Sequence, residues 1–250
     1  SFERFRGPLT ITLAEVIPNL RLLSPGQPVQ IKSQSLSFPE LEFAITFQGG
    51  EVWQPGGASA LPSNDPERHA RLVEAAKEVL QKKNGAGLSH ILPPLLGLSE
   101  EHHAAGTIGI IDWKFIRELQ IYLRKGEAGP SARLLGSLLG AGPGLTPSGD
   151  DFIIGCLLSL NRWQNSSWTS GELRGLNGTL VEAAYAKTTS LGANLIECAT
   201  RGLANERLIN ALDWLVTGAA REAEIVTSLV DWGNSSGVDA FTGMVVTLVA

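Results

Sequence analysis

A duplicated motif constrains the fold of this chain more than any other sequence feature. The segments SGDDFIIGCLLSL (148–160) and SGVDAFTGMVVTL (236–248) match as S-G-x-D-x-x-x-G-x-h-h-[ST]-L, in which h is apolar. Each segment is typical of a buried helix, yet each carries a glycine in its interior, Gly155 or Gly243. An interior glycine destabilises a helix by about 1 kcal/mol relative to alanine, so a close contact should offset that loss. The repeat therefore predicts two helices that pack at their glycines about a local two-fold axis.

The first residues of the two motifs support two interpretations. Ser148 and Ser236 could be N-caps, with Asp151 and Asp239 completing capping boxes of the S-x-x-D type. If the helices run roughly parallel, the two N-termini, Ser-Gly turns and aspartates also meet at one end. Two positive dipole ends beside flexible glycines would then bind a small anion such as a phosphate or a carboxylate.

Asp150 distinguishes the first motif from the second, which has Val238 at the equivalent position. Adjacent residues of a helix point about 100° apart, so one carboxylate should act as a cap while the other faces the ligand. Asp150 is expected to be neither cap nor core, and Asp151 is the adjacent carboxylate of the same helix start. Both are therefore the catalytic candidates. They could act as a general base or hold Mg²⁺. No other cofactor is evident, and the metal ligands are left unassigned.

The stretch GAGPGLTPSGDD (140–151) is interpreted as a binding loop joined to a helix start. It lacks the lysine of a P-loop and follows a helical pattern, so it fits neither a Walker motif nor a dinucleotide fingerprint. Arg133, on the preceding helix, could clamp an anionic substrate, and His90 lies in another glycine-rich segment. The candidate ligand-binding residues are Gly140, Gly142, Gly144, Thr146, Ser148, Gly149, Asn234, Ser235, Ser236, Gly237, Asp239, Arg133 and His90.

Two kinds of periodicity divide the chain. Residues 1–60 contain short β-favouring runs between prolines and glycines, several of which alternate with a period of two. Residues 66–250 follow the helical period, with a break expected near 188–192 inside the long segment 172–202. The predicted fold class is therefore α+β: a small N-terminal antiparallel β unit, followed by a larger, mainly helical domain that contains the repeat-related helices.

Charge and hydropathy exclude several classes of partner. The net charge is −5 and no Lys/Arg-rich run exists, which argues against nucleic acids and anionic membranes. Only 18% of the residues are charged, so a surface for other protein subunits or for a homo-oligomer is expected. No apolar run approaches the roughly 18 residues of a membrane span. Both cysteines lie in apolar patterns typical of buried reduced thiols, which favours a cytoplasmic protein.

Three segments carry a family resemblance: GAGPGLTPSGDDF at 140–152, AKTTSLGANLIECATRG at 186–202 and GNSSGVDAFTG at 233–243. They resemble the domain family of unknown function that includes the AllH-type subunit of oxamate carbamoyltransferase. The likeness extends over about 85–250. It implies transfer of a carbamoyl group between oxamate and carbamoyl phosphate, within a complex of several subunits. The family's second motif often has His where this chain has Asn234, so the acid/base residue is left open.

Two functional hypotheses follow. In the first, the chain is a carbamoyltransferase-type enzyme or enzyme subunit that binds a small anion at 140–151 and 234–239. In the second, it is a non-catalytic subunit that binds a ligand or acts as a scaffold within an enzyme complex.

Overall fold

The computed structural model describes residues 6–8, 18–50, 52–57, 59–62, 65–98, 111–219 and 224–250. The chain forms two compact units, one of Leu9–Gln54 and the other of Ser1–Pro8 with Pro55–Ala250. A small antiparallel sheet lies in the first unit, and all α-helices of the described residues lie in the second. The predicted α+β class is therefore confirmed.

Three short strands form the sheet of the smaller unit: β1 (Gln30–Lys32), β2 (Ser35–Phe38) and β3 (Phe43–Thr46). The middle strand, β2, pairs antiparallel with both neighbours. Phe38 lies opposite Phe43, and their rings stack with centroids 4.6 Å apart. Phe38 and Ile45 are buried. The stacked rings of Phe38 and Phe43, together with Ile45, therefore form the apolar face of the sheet.

The larger unit is mainly helical. Its α-helices, in chain order, are α1 (Arg68–Lys83), α2 (Leu92–Leu95), α3 (Trp113–Lys125), α4 (Ala128–Gly136), α5 (Ser148–Arg162), α6 (Ser170–Lys187), α7 (Ser190–Ala199), α8 (Glu206–Thr217), α9 (Ile225–Val230) and α10 (Ser236–Leu248). Strands β4 (Ser59–Ala60) and β5 (Trp163–Gln164) pair in parallel. The 3₁₀ helices are Pro18–Leu22, Pro39–Leu41 and Ser89–Ile91. Within the described ranges, no helix combines the length and the apolar character needed to cross a membrane.

The expected break in the long helical segment is confirmed between α6 and α7. Thr189 is the N-cap of α7, and its hydroxyl accepts a hydrogen bond from the Gly192 N–H at 2.9 Å. A side-chain oxygen at this position satisfies an N–H group that has no partner within the helix. The polar Thr188 and Thr189 therefore end one helix and start the next.

Helices α5 and α10 form the centre of the larger unit. Every residue of α5 except Asn161 is buried, as are residues 237–246 of α10. The two helices pack on each other; α7 packs on α5, and α3, α8 and α9 pack on α10. Because they are covered on several sides, both are apolar around most of their circumference, as the sequence of the repeat indicated.

The contact between α5 and α10 is centred on their interior glycines. A Cβ atom at Gly155 would lie 1.9 Å from the carbonyl oxygen of Ala240, and one at Gly243 would lie 2.1 Å from that of Phe152. Ala240 holds the same position in the second motif as Phe152 in the first. The contact is thus reciprocal, as a local two-fold axis requires, and the predicted pairing at the glycines is confirmed.

Alanine at Gly155 or Gly243 should destabilise the fold even though alanine favours helices. Its methyl group would overlap a backbone carbonyl that cannot move without shifting the partner helix, and such overpacking costs about 1–3 kcal/mol or more. Urea unfolding of each variant measures the loss.

Gly178→Ala provides the matched control. Gly178 lies within α6 and is exposed, and no atom lies within 4 Å of the position that a Cβ would take there. Its substitution should stabilise the protein by about 0.5–1 kcal/mol. Stabilisation by all three substitutions would contradict the close helix contact.

Candidate functional site

The N-terminal ends of α5 and α10 meet and exchange side-chain contacts. Ser148 and Ser236 are the first residues of the two helices. The Thr146 hydroxyl, just before α5, lies 3.2 Å from the Ser236 hydroxyl. Asp151 of α5 faces Ser236 of α10, and Asp239 of α10 faces Ser148 of α5. The serine hydroxyl of each motif therefore lies beside the aspartate of the other motif. We call these five residues the axial cluster.

This exchange shows that the capping-box interpretation is wrong. The N-cap positions are Pro147 for α5 and Ser235 for α10, and neither makes a side-chain cap hydrogen bond. Ser148 and Ser236 lie one residue inside their helices, where their hydroxyls face the neighbouring helix. The pairing of two helix starts thus replaces the local capping that each motif suggested by itself.

Asp239 has a backbone donor that the sequence did not indicate. Its Oδ1 accepts a hydrogen bond from the Leu88 N–H at 2.7 Å. Gly87 has a φ of +50°, and a Cβ there would lie 2.0 Å from the same oxygen. Only glycine lets the backbone pass this close to the carboxyl group. Gly87 and Leu88 were missed because nothing in GAGLSH identifies which backbone N–H will meet a residue so distant in sequence.

Asp151 is the least satisfied polar side chain of the axial cluster. It is fully buried, and neither carboxylate oxygen has a hydrogen-bond partner among the described residues. Burial raises the pKa of Asp151 to about 8, the nearby Asp239 and Asp150 charges add to the rise, and the hydroxyls of Ser236 and Thr146 oppose it. Those hydroxyls are close enough to act electrostatically but complete no hydrogen bond to the carboxyl group. Asp151 is therefore held in its neutral form at pH 7.

Asp150 has a structural role, so the premise that it is neither cap nor core is wrong. It is fully buried, and its Oδ1 accepts a hydrogen bond from the Gly140 N–H at 2.8 Å. Its Oδ2 accepts a hydrogen bond from the Thr188 hydroxyl. Burial raises the pKa of Asp150, and these two donors oppose that rise. Asp150 thereby joins the start of the Gly-rich loop to the junction between α6 and α7.

The Gly-rich loop needs its glycines for conformation. Gly140, Gly142 and Gly144 have φ values of +74°, +114° and +100°, which side-chain-bearing residues rarely adopt. Residues 142–145 are exposed. The loop is held at Leu145, whose carbonyl accepts a hydrogen bond from the Thr189 hydroxyl at 2.5 Å. The outer part of the loop is thus an exposed turn beside the N-terminus of α5.

Two of the candidate glycines pack against backbone. A Cβ at Gly149 would lie 2.1 Å from the Leu138 carbonyl oxygen, and one at Gly237 would lie 1.8 Å from that of Leu229. Both residues are buried in the first turn of their helices. Their place in the motif is explained by the close approach of the preceding segment.

The second motif contributes an exposed turn before α10. Asn234 is exposed, and its carbonyl oxygen accepts a hydrogen bond from Lys83 Nζ at 3.4 Å. Ser235 follows as the half-buried N-cap residue. Asn234 and Ser235 therefore lie in the turn immediately before α10.

Arg133 and His90 lie apart from these contacts. Arg133 is an exposed residue of α4 and, with Lys187, supplies positive charge to a groove of about 600 Å³ between α4 and α6. His90 is half-buried in the 3₁₀ helix that follows Leu88, and burial lowers its pKa while hydrogen bonds to the Gly87 and Ile111 backbones oppose that shift. Neither residue contributes to the contacts of Asp150, Asp151 or Asp239 that the structure describes.

Asp150→Asn should lower the free energy of unfolding by about 1–3 kcal/mol. An amide offers one acceptor oxygen, so it can accept from only one of the two donors. If that oxygen takes the Gly140 N–H, the Thr188 hydroxyl must reverse and accept from the amide NH₂ group, which replaces a charge-assisted bond by a weaker neutral one. Thr188→Val removes one of those donors. The free energy of unfolding lost in the double variant should therefore be smaller than the sum of the losses in the two single variants. Denaturant unfolding of both single variants and the double variant tests this; simple additivity would contradict the bond.

The buried Asp151 carboxyl group should make the fold less stable as the pH rises. Its pKa is about 8 in the folded chain, against an ordinary value of 3.8. Between these values the unfolded chain has lost the proton that the folded chain keeps, so stability falls with pH by at most about 1.4 kcal/mol per unit. Asp151→Asn should flatten this fall between pH 5 and pH 8, measured by urea unfolding without divalent cations. Asp231→Asn, at an exposed carboxylate after α9, should leave the fall unchanged.

Comparison with known protein families gives a match to the second half of the chain. Residues 138–248, which extend from the Gly-rich loop through α10, match the family model of the oxamate carbamoyltransferase subunit AllH. Searches against curated proteins and against solved structures gave no significant match. The matched segment contains Asp150 and the whole axial cluster. Residues 138–248 are therefore similar to the AllH family, which confirms the resemblance that the segments 140–152, 186–202 and 233–243 predicted.

Proposed function

We propose that the chain is a subunit of a carbamoyltransferase-type enzyme and binds a small anionic substrate of the carbamoyl phosphate or oxamate class. The binding surface would consist of the loop 142–146, exposed at 142–145, and the turn 234–236. The family match supports an association with oxamate carbamoyltransferase, in which other protein subunits take part. It does not itself identify the substrate of this chain.

The observation that carries the proposal is the meeting of two helix N-termini. Helices α5 and α10 begin side by side, joined by the hydroxyl pair of Thr146 and Ser236 at 3.2 Å. Each helix start carries a partial positive charge of about half a unit. The N–H groups of Gly149 and Gly237 donate to the carbonyls of Ala141 and Trp232, so this charge would attract the anion without these two donors. The positive-φ glycines next to α5 let backbone N–H groups approach a bound anion.

The charge state of the buried aspartates is compatible with an anionic ligand. Three ionised carboxylates below the surface would repel phosphate or oxamate. Burial raises the pKa of Asp150, Asp151 and Asp239, and that of Asp151 reaches about 8. A neutral Asp151 removes one negative charge from the site at pH 7 and can donate a hydrogen bond.

Catalysis at this surface would rest on positioning and on electrostatic stabilisation by backbone donors, which suit the departure of a phosphate group. Asp150 would act by holding Gly140 and the loop in place. Asp151 would hold its proton below the loop.

A non-catalytic, ligand-binding or scaffolding subunit is the second candidate function. The observation that favours it is burial: Asp150, Asp151 and Asp239 have no exposed surface. Under this alternative the chain would bind the anion and stabilise the complex, while acid/base groups come from other subunits. Binding of carbamoyl phosphate without turnover, until partner subunits are added, would identify this case.

Gly144→Ala should weaken anion binding at least tenfold, equivalent to about 1.4 kcal/mol. It should also lower the melting temperature modestly, because a side chain is strained at this positive φ. Gly144 has a φ of +100° and open space around its Cβ position, so alanine would reshape the loop without a clash. Calorimetric titration with carbamoyl phosphate, oxamate and phosphate measures the effect.

Gly26→Ala is the matched control, since Gly26 has a φ of +88°, is exposed and also has open space at the Cβ position, but lies in the smaller unit. It should leave affinity unchanged. The anion site is refuted if the wild-type chain binds none of the three anions at millimolar concentration.

A further inference from the structure

The axial cluster contains carboxylate oxygens that the protein itself leaves unsatisfied. Both oxygens of Asp151 and Oδ2 of Asp239 are buried without a hydrogen-bond partner among the described residues. Both side chains have 0% exposed surface. A buried polar atom without a partner costs about 1–3 kcal/mol, and native structures contain few of them. Three such atoms on two facing side chains indicate that something else satisfies them.

Among the described residues, the surroundings of the two carboxyl groups supply oxygen atoms and no cationic side chain that acts on them. Asp151 is next to the hydroxyls of Ser236 and Thr146, and Asp239 is next to the hydroxyls of Ser148 and Ser235. The ion pairs found within the described ranges include neither aspartate. The described residues therefore supply no cationic partner for these oxygens.

We propose that Asp151 and Asp239 together bind one divalent cation of the Mg²⁺ class at the local two-fold axis of α5 and α10. Carboxylate and hydroxyl oxygens are hard donors, which select Mg²⁺ or Mn²⁺ over the metals that prefer sulfur or imidazole. Mg²⁺ commonly uses one or two protein carboxylates and completes its shell with water or with phosphate oxygens. Ser148, Ser236 and Thr146 provide further oxygens around the ion.

Charge balance supports a cation in spite of the helix dipoles. Two helix N-termini contribute about one positive charge in total, since each carries roughly half a unit. Binding of the ion would displace the proton that Asp151 carries at pH 7. The two ionised carboxylates then outweigh the dipole charge, and a divalent cation compensates the remainder. The ion would also make the site more attractive to an anion above it.

The site differs from the pair of adjacent aspartates that the sequence suggested. Asp150 has both carboxylate oxygens occupied, by the Gly140 N–H and the Thr188 hydroxyl. No group of three or more carboxylate, imidazole or thiol side chains within the described ranges is arranged to hold a metal. The inferred site therefore uses two carboxylates from different helices, with hydroxyl groups in place of a third acid. It does not depend on the proposed carbamoyl chemistry.

Metal titration of the full chain tests the inference without any anion present. Protein treated with EDTA and then dialysed free of it would be titrated calorimetrically with MgCl₂ and with MnCl₂. We expect one ion per chain, with affinity reduced at least tenfold in Asp151→Asn and in Asp239→Asn. Asp231→Asn is the control and should bind as the wild type does. Circular dichroism establishes that each variant is folded.

A second measurement keeps the test valid if a variant does not fold. In ¹⁵N NMR spectra of the wild-type chain, substoichiometric Mn²⁺ should broaden the amide signals of 146–151 and 236–239 before any others. The inference is overturned if the folded wild type binds neither ion, if Mn²⁺ broadens a different region, or if both Asn variants bind as tightly as the wild type. Binding of the ion without any binding of carbamoyl phosphate would refute the proposed function and leave the metal site intact.

Discussion

The backbone contact between α5 and α10 is the constraint on which the larger unit depends. Cβ atoms at Gly155 and Gly243 would lie 1.9 and 2.1 Å from carbonyl oxygens of the opposite helix, so the helices can pack this closely only with glycine at both positions. Close packing aligns the two helix starts and lets Ser148 and Ser236 reach the aspartate of the other motif. A wider separation would remove those contacts and leave each helix to satisfy its own N–H groups.

Alignment of the helix starts also concentrates acidic groups that form no ion pair with the described residues. Asp150, Asp151 and Asp239 are all fully buried near one end of the pair. Their environments differ: in the described part of the chain, Asp150 has two hydrogen-bond donors, Asp239 has one from Leu88, and Asp151 has none. Residues with unsatisfied buried oxygens are candidates for ligand or proton binding, whereas the satisfied Asp150 is a structural anchor.

The sequence predicted the helix pair but not the contacts at its end. Each motif is apolar around the whole helix and has an interior glycine at the same place. These patterns indicate burial and close packing, which a local segment of sequence is enough to predict. The N–H group of Leu88 and the hydroxyl of Thr188 come from distant segments, and no local pattern indicates where such donors will lie. The capping-box prediction was wrong for the same reason: S-x-x-D describes one helix, while each serine here contacts the other helix.

Departure from two-fold symmetry explains why Asp151 and Asp239 differ. The Gly87 turn brings the Leu88 N–H to Asp239, whereas the Gly140 N–H of the Gly-rich loop donates to Asp150, the neighbour of Asp151. The Gly140 N–H thus donates to Asp150 and not to Asp151. Where the first motif has Asp150, the second has the fully buried, apolar Val238, so the second copy has no such anchor. The extra aspartate fixes the Gly-rich loop, and Asp151 is left with two unsatisfied oxygens for a cation or a proton to occupy.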